Sequence, residues 1–440
     1  MLQPQITRWS PVAYTPTSCH IVDRSVVHSP RPKHAVLVPV ARNCCMALSM
    51  EARHLIVQYA RSRRDICSLA RVCKGFQIVA ERSLYNTLSL SGTDTTMSIC
   101  NVLAGQPRVA AYVENLTIVV RDDETTSEEG ASSNPPEEYW RSVGAGLRSV
   151  HRLLHLTVQL DFIGHSAHSW ILDGCQFKLR TFHCDLAWNI HLVDFLNDQD
   201  ELEDLYILDF PYPVDADTQV TPAQPQRPLS PPPPPVRRVL SPIPRIGSMP
   251  KLSILECPTT DAVSVLVPRR PITRVKTCFA TSDIEKKRRE LTTLFVNLRL
   301  STRPLLALDL GDSSYNADCS LNFLRHCVSS NRTMDSVRYL GTLALPVDGR
   351  ERLRFYGLLR GLPHIECLEV EVTDWNPPPT SFAALRAITN ELRIYCHTVN
   401  KVVFVYDFDR VVITVSDDGA GGCVLGEENG GVADVIWREA

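Results

Sequence analysis

At 440 residues, with 44% apolar and 22% charged side chains, the chain has the composition of a globular protein able to bury one large core or several. A formal net charge of −3 points to neither nucleic acid nor a membrane surface as partner, and no apolar run approaches the roughly 18 residues of a membrane span. Fifteen cysteines are scattered from Cys19 to Cys423 with no C-x-x-C pair, many inside apolar segments such as SILEC and TRVKTC. They read as free buried thiols of a reducing compartment, cytoplasmic or nuclear, with no metal and no cofactor expected.

Residues 1–45 carry one acid, Asp23, several arginines and prolines at 4, 11, 16, 30, 32 and 39. There is no secretory apolar core, and the prolines interrupt the amphipathic helix that a presequence needs, so a disordered tail is expected. From Met46 to Leu90 the texture is helical and free of proline. Leu55, Ile56 and Tyr59 mark a first helix, and RSRRD is a polar break with Asp65 as the expected N-cap. Ile66, Leu69, Val72 and Cys73 share a face of a second helix, Gly75 is expected to interrupt it, and Phe76, Val79, Ala80 and Leu84 define a third. This three-helix unit over 46–90 is too small to be robust alone. It runs into strand-like TLSL.

Over 91–440 one template recurs: apolar, two of any kind, apolar, one of any kind, apolar. Its triplets are Val113/Leu116/Ile118, Leu153/Leu156/Val158, Leu179/Phe182/Cys184, Leu202/Leu205/Ile207 and Leu252/Leu255/Cys257. Then come Ile272/Val275/Thr277, Leu305/Leu308/Leu310, Leu340/Leu343/Leu345, Ile365/Leu368/Val370 and Val399/Val402/Phe404. Helix-like segments lie between them, among them PEEYWRSVGAGLRSV, SDIEKKRRELTTLFVNLRL and SFAALRAITNELRIYCHTV. A short strand and a helix repeated in this way predict an α/β fold, an irregular leucine-rich-repeat-like solenoid. No asparagine ladder follows the strands, so a plain α/β protein with short strands is the alternative. Two inserts stretch the spacing: acidic DDETTSEEGASSNPPEE, and a proline-rich segment over 211–250 expected to be an exposed loop of polyproline II character. KVVFVYDFDRVVITVSDDGAGG and VADVIWREA read as terminal strands with Gly-rich turns that could cap the sheet edge.

Within the helical unit, SLARVCKGFQIVAERSLYNTLSL resembles the second half of the F-box as found in many fungal F-box-like proteins. The match rests on Leu69, Val72, Cys73, Lys74, Phe76, Ala80, Glu81, Leu84 and Tyr85. The first half reads LSMEARHLIVQYA, without the family's Leu-Pro opening, with Glu51 in place of its acid and Leu55/Ile56 as its apolar pair. The resemblance implies a substrate receptor that performs no catalysis itself. Leu55, Ile56, Ile66, Leu69, Val72 and Phe76 would dock a Skp-type adaptor protein and, through it, a cullin–RING ubiquitin ligase. The solenoid would hold an unidentified target protein. A solenoid scaffold unconnected with ubiquitin is the alternative from another class.

Other motifs carry weaker chemistry. Gly164-His165-Ser166 after the strand-like LTVQLD is similar to the start of a hydrolase nucleophile elbow with Ser166 as nucleophile, but His168 stands where the closing glycine belongs. His165, His168, Cys175, His183, Cys184 and His191 cluster locally, yet their spacing matches no standard zinc site. EKKRRE at 285–290 reads as the wet face of an amphipathic helix or as a nuclear-import patch. Pro232, Pro235 and Arg237 fit PxxPxR, a ligand for SH3-type domains, and Ser230 and Ser241 precede prolines as proline-directed kinases require. An unregulated spacer is the other reading of that loop, and deleting 214–246 is expected to leave folding intact under both.

Overall fold

The computed structural model describes residues 48–60, 62–120, 135–160, 168–211, 242–312, 316–379, 381–407, 409–417, 423–428 and 433–440. The expected tail over 1–45 lies outside the described residues, as does most of the proline-rich segment. The chain divides into two units between Asn86 and Thr87.

The first unit holds α1 (Met50–Tyr59), α2 (Arg63–Ala70) and α3 (Lys74–Tyr85). Ser49 caps α1, its hydroxyl accepting from the Ala52 amide at 3.2 Å. The cap of α2 is Ser62 and not Asp65: Ser62 Oγ accepts from the Asp65 amide at 3.1 Å. Asp65 sits in the first turn instead, where its charge meets the positive end of the helix dipole. Gly75 does not interrupt either. It lies in the first turn of α3, and the break falls over 71–73. The space beside its Cα is taken by the guanidinium of Arg53 in α1, the movable end of a long side chain. Val57, Phe76, Val79 and Ala80 form the core, with Ile66, Leu69, Ala70 and Cys73 packed at its margin.

The second unit alternates strand and helix. In chain order it runs β1 (Thr87–Ser91), α4 (Thr93–Gly105), α5 (Pro107–Ala110), β2 (Asn115–Val120), α6 (Glu137–Ser149) and β3 (His155–Leu160). A 3₁₀ turn (His168–Leu172) precedes β4 (Thr181–Cys184), α7 (Ile190–Asn197), β5 (Asp204–Ile207) and β6 (Ile254–Glu256). Then come α8 (Thr260–Leu266), β7 (Arg274–Cys278), α9 (Ile284–Leu298), β8 (Ala307–Gly311), α10 (Ala317–Ser329) and α11 (Asn331–Met334). The remainder is β9 (Tyr339–Ala344), α12 (Gly349–Leu359), β10 (Cys367–Glu371), α13 (Phe382–Tyr395), β11 (Lys401–Tyr406), β12 (Asp409–Asp417), β13 (Cys423–Glu428) and α14 (Ala433–Glu439).

Thirteen strands form one sheet whose spatial order is the chain order. β1 to β11 are parallel, each separated by a crossover; β12 and β13 continue antiparallel at one edge. The register explains the repeating template. Leu116, Leu156, Phe182, Leu205, Leu255, Val275, Leu308, Leu340, Leu368 and Val402 are paired neighbours along the sheet, and all are buried. Helix starts are specified locally. Asn189, Asp283, Asn316, Asp348 and Ser381 each cap the following helix through a side-chain oxygen.

Four expectations need correction. In β9 the residue on the ladder is Leu340, not Leu343. A register shift lets Val370 face Leu343, so a template of fixed spacing slips at this strand. Within VADVIWREA, Ala433–Glu439 is not a strand but α14, built of Ala, Glu and Arg helix formers around Ile436 and Trp437. The proline-rich loop is shorter than 211–250. Pro244, Ser248 and Met249 are buried, Trp188 Nε1 donates to the Pro242 carbonyl at 3.0 Å, and the Arg245 amide donates to Asn197 Oδ1 at 2.7 Å. In α9, Lys287 turns away from the wet face. It is buried and paired with Asp312, while Arg288 and Glu285 pair on the surface.

Among the described residues, no helix is long and apolar enough to cross a membrane.

Candidate functional site

The first unit exposes apolar surface that its core does not use. Only Val57 of α1 is buried; Leu55, Ile56 and Tyr59 face solvent, with 52% of Leu55 and 82% of Tyr59 exposed. Val72, in the break after α2, is 53% exposed. These side chains, with Ala60, Asp65, Ser68 and Leu69, line a groove of about 590 Å³. A contiguous apolar groove on so small a unit is the usual mark of a protein contact. Of the six residues singled out from the sequence, Leu55, Ile56, Leu69 and Val72 line it. Ile66 packs at the margin of the core, and Phe76, 5% exposed, lies inside the core and not in the groove lining. Tyr59 belongs to the lining although the sequence marked it only as a helix position. Its signal was the i, i+4 spacing from Leu55.

A second constellation lies on the sheet face that alternates with the buried leucine ladder. Tyr206, Glu256, Lys276 and Asp309 are register neighbours there, and Glu369 follows in β10. His183 Nε2 stands 3.5 Å from Asp204 Oδ1. Lys276 Nζ lies 3.9 Å from Glu256 and 3.7 Å from Asp309. Glu369 accepts from Tyr339 and Thr342 hydroxyls, both at 2.8 Å, and from Arg410 at 3.2 Å. Arg438 of α14 is ion-paired with both Asp204 and Glu256. Burial pulls Lys276 down, but Asp309, Glu256 and Glu369 outweigh it and hold the ammonium above its ordinary value. Burial likewise pushes Asp204 up, and His183 and Arg438 reverse the sign. For Asp309 burial wins: its carboxyl sits above the ordinary range despite Lys276. The row therefore holds fixed charges of both signs out of water. No period or motif marks it in the sequence, because its members come from eight strands and one helix.

The remaining candidates do not converge. His168 stacks on Trp140 with centroids 4.4 Å apart, His183 faces Asp204, and His191 Nδ1 lies 3.0 Å from Asp173 Oδ1. Cys184 is buried on the core side of β4, and burial pushes the Cys175 thiol up to about 12, away from the reactive thiolate. Among the described residues no group of three metal-ligating side chains is assembled. Gly164, His165 and Ser166 lie outside the described residues, and so do Ser230, Pro232, Pro235, Arg237 and Ser241. Compared with protein-family models and with curated proteins, the chain matches none.

Proposed function

We propose that the chain is a non-catalytic substrate receptor of a Skp–cullin–F-box type ubiquitin ligase. The F-box-like first unit docks the Skp-type adaptor through the groove of Leu55, Ile56, Tyr59, Leu69 and Val72. The second unit is an irregular leucine-rich-repeat-like solenoid that holds the target protein within reach of the ligase. The observation that carries this reading is the groove itself: the segment that resembles an F-box leaves large apolar side chains facing outward on two adjacent helical segments. Strand order equal to chain order, with a helix in most crossovers, supports the solenoid half.

The test is co-elution of the full chain with purified Skp-type adaptor on size exclusion. A one-to-one complex is expected, and it should be lost in Leu55→Asp/Val72→Asp. Both positions are more than half exposed, so the variant should keep its circular dichroism spectrum. A folded double variant that still binds the adaptor would sink the docking face.

A further inference from the structure

The sheet face opposite the leucine ladder changes along its length. At β2, β3 and β4 the residues between the buried ones remain partly open, whereas β8 and β9 are buried on both faces. The cover is the chain's own α14. Ile436 and Trp437 pack with Ala307, Tyr339, Cys367 and Val403, and the Arg274 guanidinium donates to the Ala440 carbonyl at 2.5 Å. Arg438 reaches Asp204 and Glu256, whose side chains are 16% and 18% exposed. Its guanidinium also lies 4.5 Å from the Trp437 ring centroid.

At seven residues, α14 is far too short to be helical in water by its own propensity. Side chains hold it: one aromatic anchor in an apolar seat and one guanidinium between two carboxylates. That pairing of a buried aromatic with a charge-assisted arginine is how protein interfaces concentrate their binding energy. The seat also selects its occupant by charge. Asp204, Glu256, Asp309 and Glu369 bring four carboxylates to this row, against Arg274, Lys276 and Arg410 once Arg438 is set aside, which leaves one negative charge in excess beside the pair that Arg438 holds.

We propose that this patch is a docking surface for a helical segment of a partner protein that presents an aromatic side chain beside an arginine, and that α14 is its built-in competitor. The inference deepens the target-binding half of the proposed function and makes no use of the adaptor groove. The incoming segment replaces Trp437 on Ala307 and Tyr339 and replaces Arg438 between Asp204 and Glu256.

The test uses a fluorescein-labelled peptide of residues 433–440, ADVIWREA, and fluorescence anisotropy on the full chain. Arg438→Glu sets a third carboxylate against Asp204 and Glu256 and should expel α14, so the peptide should bind this variant at least about tenfold more tightly than the unaltered chain, whose surface is occupied. A peptide carrying the same Arg→Glu change should bind neither. Equal affinity for the two chains, or tight binding of the altered peptide, overturns the proposal. A second readout needs no variant: amide exchange of α14 in the unaltered chain should accelerate saturably with added peptide, and unchanged exchange overturns the proposal as well. Adaptor co-elution of the Arg438→Glu chain separates the two readings. A retained complex with no peptide binding removes this inference alone, while peptide binding without adaptor capture removes the ligase reading and leaves this one.

Discussion

Single side chains divide sharply into those the fold uses and those it leaves out. Leu340 sits on the buried ladder between Leu308 and Leu368, so Leu340→Ala should cost about 2–5 kcal/mol in urea unfolding. Leu55→Ala, on exposed surface, should stay within about 0.5 kcal/mol of the parent in the same assay. Lys287 and Lys286 are neighbours with different fates: Lys287→Ala strands Asp312 in the interior and should cost about 3–5 kcal/mol, and exposed Lys286→Ala close to nothing. Asp309 supplies a pH signature. Its folded pKa is raised above the unfolded value of about 3.9, so the folded chain keeps a proton that the unfolded chain has already released. Stability from this group therefore falls as pH rises above about 4, until the folded-state value is passed. Urea midpoints of Asp309→Asn minus those of the parent should climb over that window and then level off; a flat difference would contradict the assignment.

Elements were legible where the period was long and the punctuation local. Six helix-like segments between the triplets are α6, α7, α9, α10, α12 and α13, each begun by a cap or a first-turn acid that can be read directly. Nine of the ten triplets place the ladder residue in its strand, and the tenth fails at the β9 register shift, which leaves no mark in the sequence. α4 and α8 went unread because Thr-rich starts and short apolar runs carry little helical contrast. For the groove, four of six residues were legible; their outward direction was implied by the F-box resemblance alone and is not given by helical periodicity. Leu55 and Ile56 look like core, and only the placement of Val57 beneath them shows otherwise. The proline-rich insert separates in the same way. Deleting 214–240 should leave the thermal midpoint within a degree or two. Extending the deletion to 246 removes the Pro242 carbonyl from Trp188 and the Arg245 amide from Asn197, and the midpoint should drop by several degrees.

At the scale of the molecule, the two units keep separate cores, one around Phe76 and Val79 and one along the sheet. Under the proposed function, Phe76→Ala should abolish adaptor co-elution by emptying the first core, while the main calorimetric transition of the sheet stays in place. A shift of that main transition by more than a few degrees would show that the cores unfold as one. The strand order has a further consequence, for how such a chain can change over generations. Each of β1 to β11 pairs only with the strands before and after it in sequence. Duplicating one strand with its crossover, or losing one, therefore lengthens or shortens the row while every other pairing survives. Thirty or more residues inserted between two neighbours, as between β5 and β6, disturb nothing beyond that junction. Such an architecture can gain, drop or decorate steps one at a time, and the surface proposed to hold a target can drift in reach without the core being redesigned.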